Sequence, residues 1–339
     1  MTGAPDIRQI EDAARRLAPV LRKTWLFESE RLNTHIGGRL LVKAETLQPT
    51  GSFKIRGAWN RISRLSPGEL SRGVFALSSG NHGLAVAWAA RQAGARRIVI
   101  LMPVDAPRTK IEQTRAFGAE IIAYDRRTAD RNALVAQWRN DQGLIYIPAF
   151  DDAEIIAGAA TVAYETVQEA AASDIAIDLF TAPCSGGGLI AGSALALRSL
   201  SPKTEIWGVE PEAYDDTARS LSAGERVAVS ASGKTICDAL LSLTPGELTF
   251  TINRKSLSGI VRASDDDARV GMKAAFEEFG LVAEPSGALA LGAILTGRMD
   301  VQGRTFAVVL SGRNVDLDLY RREIADTALV DPSPARLAG

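Results

Sequence analysis

Along the chain, short runs of β-branched and other apolar residues alternate with longer stretches whose apolar positions recur every three or four residues. That alternation predicts an α/β fold with mostly parallel strands, because each helical stretch is long enough to return the chain to the same end of a sheet. "GVFALS" (73–78) reads as a strand and "NHGLAVAWAARQAG" (81–94) as a helix ended by glycine. "RRIVILM" (96–102) gives a second strand, a helix follows around "RTKIEQTRAFG", and "AEIIAYD" (119–125) gives a third strand before a helix over "ALVAQWRND". These strands and helices predict a small doubly wound domain over 71–149.

A second series starts near residue 150. "AIDLFTAP" (176–183), "TEIWGVEP" (204–211) and "RTFAVVLSG" (304–312) read as buried strands, and "LIAGSALALRSL" as a helix. "DDDARVGMKAAFEEFG" opens with acids that suit a helix N-terminus and stops at Gly280. Residues 1–70 and 150–325 are expected to form one larger, discontinuous domain, followed by a Pro/Ala-rich tail over 326–339. A chain of 339 residues suits two domains of ordinary size.

Charge and composition narrow the function. The 39 basic and 40 acidic residues almost cancel, which leaves no electrostatic footprint for nucleic acid or an anionic membrane. The N-terminus lacks the apolar core of a secretory leader, and no run approaches membrane-spanning length. Cys184 and Cys237 stand alone without CxxC spacing, which fits a reducing cytoplasm. With only His35 and His82, a histidine-rich metal site is excluded, and no GxSxG elbow supports a serine triad.

Three polar loops carry the candidate chemistry, each at the end of an expected strand, where ligands collect in open α/β sheets. "APCSGGGLIAG" (182–192) lies between strand and helix, and its glycines let backbone N–H groups converge on a phosphate. A tight turn packed for its own sake would use the same residues. The loop is neither a GxxxxGK[ST] P-loop nor a GxGxxG fingerprint, so the phosphate belongs to a ligand smaller than a nucleotide. Pyridoxal phosphate is such a ligand, and it requires a lysine. "SSGNHGLAVA" (78–87) offers hydroxyls and turn amides for a carboxylate, or equally an N-cap cluster. "LSGRN" (310–314) places Ser311 at a third strand end, and "QPTGSFKIRGAWN" (48–60) sets Lys54 among small residues at a helix entrance.

Taken in order, "TGSFKIRGA", "SSGNHG", the glycine loop before "GVEP", "AEPSGALAL" and "SGRNVDL" resemble the fold type II pyridoxal-phosphate enzymes, in particular the threonine dehydratase and serine racemase group. The resemblance spans roughly residues 15 to 320 and implies a tryptophan synthase β-like pair of parallel-sheet domains. It implies that Lys54 holds the cofactor, Phe53 packs on its ring, Asn81 meets the ring hydroxyl, and Ser311 meets the pyridine nitrogen. Ser185, Gly186, Gly187, Gly188 and Leu189 match the phosphate loop, and Ser78, Ser79, Gly80, Asn81 and His82 the loop that receives the substrate carboxylate. In "VEPEAYDD", Glu210, Asp216 and the Tyr214 carbonyl match a divalent-cation site, with oxygen ligands suited to Mg²⁺ or Ca²⁺.

The resemblance implies a homodimer that dehydrates a 3-hydroxy amino acid such as L-threonine or L-serine to a 2-oxo acid and ammonia, with Lys54 as the α-proton base. Ser79 stands where racemising relatives place an acid on the opposite face, so a serine- or aspartate-type racemase is the alternative. So is a dehydratase for a larger substrate: 3-hydroxyaspartate, phenylserine or an intermediate derived from hydroxyectoine. A non-catalytic phosphate-binding regulator would explain the glycine loop but leave Lys54 without a role. Three departures from the family pattern bear on specificity: Ser185 for a first glycine, Arg313 in "SGRN", and Ala239 in "TICDAL".

Overall fold

The computed structural model describes residues 3–126 and 128–328. The expected tail therefore lies outside the described residues from 329 onward.

Two sheets organise the chain. The first contains β1 (Leu26–Phe27), β2 (Arg39–Ala44), β7 (Leu179–Pro183), β8 (Glu205–Pro211), β9 (Gly259–Ala263) and β10 (Thr305–Leu310), in the order β1-β2-β10-β7-β8-β9. Only β1 runs antiparallel to its neighbour; the other pairs are parallel. The second sheet, wholly parallel, orders β3 (Val74–Leu77), β4 (Ile98–Pro103), β5 (Glu120–Tyr124) and β6 (Ile145–Tyr146) as β5-β4-β3-β6. The fold is α/β with two parallel-dominated sheets, as the alternating pattern predicts.

The inner strands β3, β4 and β7 are buried at every position, so helices cover both faces and the strands read as continuous apolar runs. Four strands escape the sequence pattern. β1 and β6 have two residues each, and β9 is an edge strand buried only at Ala263. β2 contains Lys43, fully buried because its Nζ donates to Glu165 (3.1 Å) and to the Thr24 carbonyl (2.7 Å).

The expected helices form where their signals lie. Asp265–Phe279 starts with a capping box, Ser264 with Asp267, and ends on Gly280 in the left-handed region (φ 64°). The Lys54–Ile62 helix is fixed by a buried ion cluster. Arg56 reaches Glu45 (2.7 and 2.8 Å), Glu165 (2.7 and 2.8 Å) and Thr161 (3.0 Å), tying this helix to Ala153–Ala171. Burial alone would lower the Arg56 pKa, but the two carboxylates outweigh it and hold the guanidinium charged. Among the described residues no helix is long and apolar enough to cross a membrane.

Candidate active site

The carboxyl ends of β3, β7 and β10 converge on one cavity of about 180 Å³. Its wall brings together Phe53, Lys54, Ser78, Ser79, Gly80, Asn81, His82, Ser185, Gly186, Gly187, Gly188, Leu189 and Ser311. These are the expected cofactor and substrate residues, gathered from four stretches far apart in the chain. Glu210, Tyr214 and Asp216 lie elsewhere, at the end of β8 and the start of the helix that follows.

Lys54 is the first residue of its helix, and its half-buried amine donates to the Ala149 carbonyl (2.8 Å), 5.2 Å from the Phe53 ring centroid. Burial pushes its pKa down to about 8. At pH 7.5 an amine with that value is roughly one quarter free base, the state a nucleophile or proton acceptor needs.

The glycine loop is braced from behind. Thr249 Oγ1 and the Gly246 amide donate to the Gly186 carbonyl (2.6 and 3.3 Å). A Cβ on Gly186 would fall inside the Phe150 ring, and Gly187 (φ 91°) takes a backbone shape that side chains rarely adopt. Gly187 also begins the Gly188–Leu200 helix without a side-chain cap. Among the described residues no protein acceptor takes the amides of Ser185 to Leu189, which leaves five donors at a helix N-terminus facing the cavity.

The SSGNHG loop divides its labour. Ser78 Oγ accepts from the amides of Gly80 (3.1 Å) and Gly83 (2.9 Å), so this hydroxyl shapes the turn. Asn81 is held at both ends: its Nδ2 donates to Glu284 Oε1, and its Oδ1 accepts from Asn314 Nδ2 (2.8 Å). His82 is buried, with Nε2 2.9 Å from the Ile147 carbonyl. Ser311 sits at the end of β10, where its carbonyl accepts from the Phe53 amide (3.0 Å) and joins two parts of the wall.

Several wall residues were missed in the sequence. Lys110, 1% exposed, places Nζ between Asp238 (2.7 Å) and Glu284 (2.9 Å), joining the Arg108–Ala116 helix to residues packed on the larger sheet. Burial opposes the charge, but the carboxylates of Glu284 and Asp238 more than offset it and hold Lys110 protonated. One signal was available: Lys110 and Thr114 share the inward face of an otherwise polar helix at i, i+4 spacing. Arg126 and Arg131 add a basic rim, with Tyr124 beside them on the wall. Of the departures, Ala239 lies on the wall, whereas Arg313 turns away and donates to the Thr46 carbonyl (2.8 Å).

A strap over 147–152 joins the second sheet to the Ala153–Ala171 helix and touches nearly every part of the site. The Ile147 carbonyl meets His82, the Ala149 carbonyl meets Lys54, and Phe150 packs under the glycine loop. Asp151 accepts from the amides of Glu247, Leu248 and Thr249, and Asp152 caps the next helix.

A lysine with a depressed pKa beside an unclaimed amide cradle is the combination that an aldehyde-bearing phosphate requires, so these residues fit pyridoxal phosphate. A family model described as pyridoxal-phosphate dependent enzyme matches residues 17–312. The chain belongs to that family. L-threo-3-hydroxyaspartate ammonia-lyase of Saccharomyces cerevisiae is 37% identical, covering 93% of this chain and 95% of the yeast protein. The catabolic L-threonine dehydratase of Escherichia coli is 36% identical, over 92% of this chain and 93% of that one. The structure of maize serine racemase superposes with a TM-score of 0.88 at 33% identity, covering 95% of this chain and 97% of the maize chain. This fold type II enzyme is therefore of the threonine dehydratase and ammonia-lyase type.

Proposed function

We propose that this enzyme is an ammonia-lyase for a 3-hydroxy amino acid with a second carboxylate, 3-hydroxyaspartate, which it converts to oxaloacetate and ammonia. The observation that carries this reading is the basic rim: Arg126 and Arg131 line the same cavity as Lys54. L-Threonine and L-serine have nothing for a guanidinium to bind, whereas a β-carboxylate suits its paired donors. Arg126 is already engaged by Asp105 (2.8 Å), so Arg131 is the residue assigned to the substrate. The similarity to the yeast hydroxyaspartate enzyme supports the same choice.

Pyridoxal phosphate, held by Lys54 and the amides of Ser185 to Leu189, supplies the electron-accepting ring that makes the substrate Cα–H acidic. The free amine of Lys54 takes the α-proton. Amides and the Ser79 hydroxyl at the entrance of the Asn81–Gln92 helix hold the α-carboxylate, while Ser78 keeps the turn in shape. Phe53 would pack against the bound cofactor, and Asn81 and Ser311 would meet its polar groups. Loss of the β-hydroxyl as water, followed by hydrolysis, releases the 2-oxo acid and ammonia.

A steady-state panel of L-threo-3-hydroxyaspartate, L-threonine and L-serine, scored for 2-oxo acid and ammonia, tests the reading. Hydroxyaspartate is expected to have the highest kcat/KM. A preference for L-threonine refutes it in favour of the simpler dehydratase. Ser79 on the cavity wall supports a second activity, racemisation, which the same panel detects by chiral analysis.

Glu210 and Asp216 support a structural Mg²⁺ or Ca²⁺ site. Both are fully buried. Burial raises Glu210 to about 7, and burial with the nearby Glu210 charge raises Asp216 to about 8. Glu210 accepts from the amides of Thr217 and Ala218, but neither Asp216 oxygen has a protein partner. A divalent cation would relieve both, with the Tyr214 carbonyl as a further ligand. Among the described residues no three His, Cys, Asp or Glu side chains gather as a metal cluster, so the site would rest on two carboxylates and backbone oxygen. A cytoplasmic homodimer completes the proposal; light scattering during size exclusion tests the pairing.

A further inference from the structure

Behind Lys54 lies a second cavity, of about 10 Å³, room for about one water. Its wall is made of Phe53, Gly57, Ala149, Ile155 and other apolar or backbone surfaces, and only two of its side chains carry polar atoms: Lys54 and His82. The same two also line the main cavity. The Ile147 carbonyl can only accept, so His82 Nε2 carries the proton of the neutral ring and donates to it (2.9 Å). Nδ1 is left as a bare lone pair. It is buried, with His82 4% exposed, and no protein donor reaches it. A buried acceptor without a donor is costly, and such atoms call for an explanation.

We infer that His82 is a positioning residue for Lys54: its Nδ1 accepts a hydrogen bond from the lysine amine across the one water that the small cavity can hold, and so fixes where the lysine lone pair points. The two groups interact electrostatically, since the Lys54 charge adds to burial in driving His82 down to about 3. His82 therefore stays neutral during turnover and takes no proton itself. Once Lys54 has gained the α-proton, its ammonium needs acceptors. The Ala149 carbonyl supplies one and His82 Nδ1 the other, both oriented by the 147–149 strap. The remaining ionisable groups on the main wall are Tyr124, Arg126, Arg131 and Lys110 with its partners Asp238 and Glu284, none of which lines the small cavity.

This inference rests on Lys54 being the cofactor lysine, and the test separates the two. Pyridoxal phosphate is added to cofactor-free full-length protein over a range of pH, and the rate at which its protein-bound visible band appears reports the Lys54 amine. If Lys54→Ala still gives the band, the anchor is misassigned, independently of His82. His82→Gln keeps a donor where Nε2 stands, and His82→Asn keeps an acceptor where Nδ1 stands. Loss of an acceptor destabilises the ammonium, so the Gln variant is expected to lower the apparent pKa by about one unit, a tenfold change in ammonium population. The Asn variant is expected to hold the wild-type value. A purely structural role predicts the reverse, with Gln as the rescuing residue. A Gln variant that titrates like wild type, or Gln and Asn variants shifted alike, overturns the inference. Should either variant fail to fold, ¹⁵N-histidine spectra of wild type and Lys54→Met decide. The His82 Nδ1 resonance is expected to differ between them, and identical resonances overturn the assignment.

Discussion

Replacing Lys54 by methionine should alter how the stability of the cofactor-free protein depends on pH, and burial fixes the sign. The amine falls from its ordinary 10.5 to about 8 in the folded chain. Below about pH 8 both states are protonated, and the folded state carries the full cost of a poorly solvated charge. Between 8 and 10.5 the unfolded chain still holds a proton that the folded chain has released, so stability rises with pH across that window. Two and a half units correspond to about 3.4 kcal/mol, and solvent screening of the half-buried side chain brings this to roughly 2 kcal/mol. Methionine fills the same space without the titration. Urea unfolding of wild type and variant at pH 7.5 and pH 10 gives a difference of differences from which tyrosines and other lysines cancel. Wild type is expected to gain about 2 kcal/mol on the variant at the higher pH. A gap that stays flat, or that moves the other way, refutes burial as the cause of the low amine pKa.

Other perturbations test the remaining parts of the site. Arg131→Met should cut kcat/KM for L-threo-3-hydroxyaspartate by about a hundredfold, the loss of roughly 2–3 kcal/mol of charge-assisted bonding, and change L-threonine turnover little; parallel losses on both substrates would count against a β-carboxylate role. Lys110→Met leaves Glu284 without its cation and should destabilise the protein by about 3 kcal/mol or more, measured by denaturant unfolding. Gly186→Ala forces Phe150 aside at a cost of about 1–3 kcal/mol, and spectroscopic titration should show weaker cofactor binding. Mg²⁺ or Ca²⁺ at a hundred times its dissociation constant should add about 2.7 kcal/mol to unfolding stability, and Glu210→Gln should abolish that gain.

The sequence conveyed the site better than it conveyed the sheets. Lys54, the glycine loop and Ser311 could be read because each lies at a turn or strand end rich in small residues, and together they follow the order of a known family's motifs. β2 was hidden by Lys43, whose charge argues against a buried strand until Glu165 is seen beside it. β6 and β9 are too short or too peripheral to leave a periodic signature. Lys110, Asp238 and Glu284 come from three separate segments, and nothing local to any of them announces the ion cluster they form. Their pairing is a property of the folded wall. His82 was visible as a loop residue, but its two ring edges acquire meaning only once the Ile147 carbonyl occupies one of them.

The strap over 147–152 has a consequence for how this enzyme can change. Ordinary connections between packed units tolerate added or deleted residues because little depends on their length. Here successive residues hold His82, Lys54, the glycine loop and two helix starts, so the segment behaves as a ruler with a mark at nearly every residue. A single inserted residue would leave both sheets with their own cores yet move every mark after it out of register. Variation in substrate preference should therefore accumulate at the basic rim, while the count of residues between Ile147 and Asp152 stays fixed.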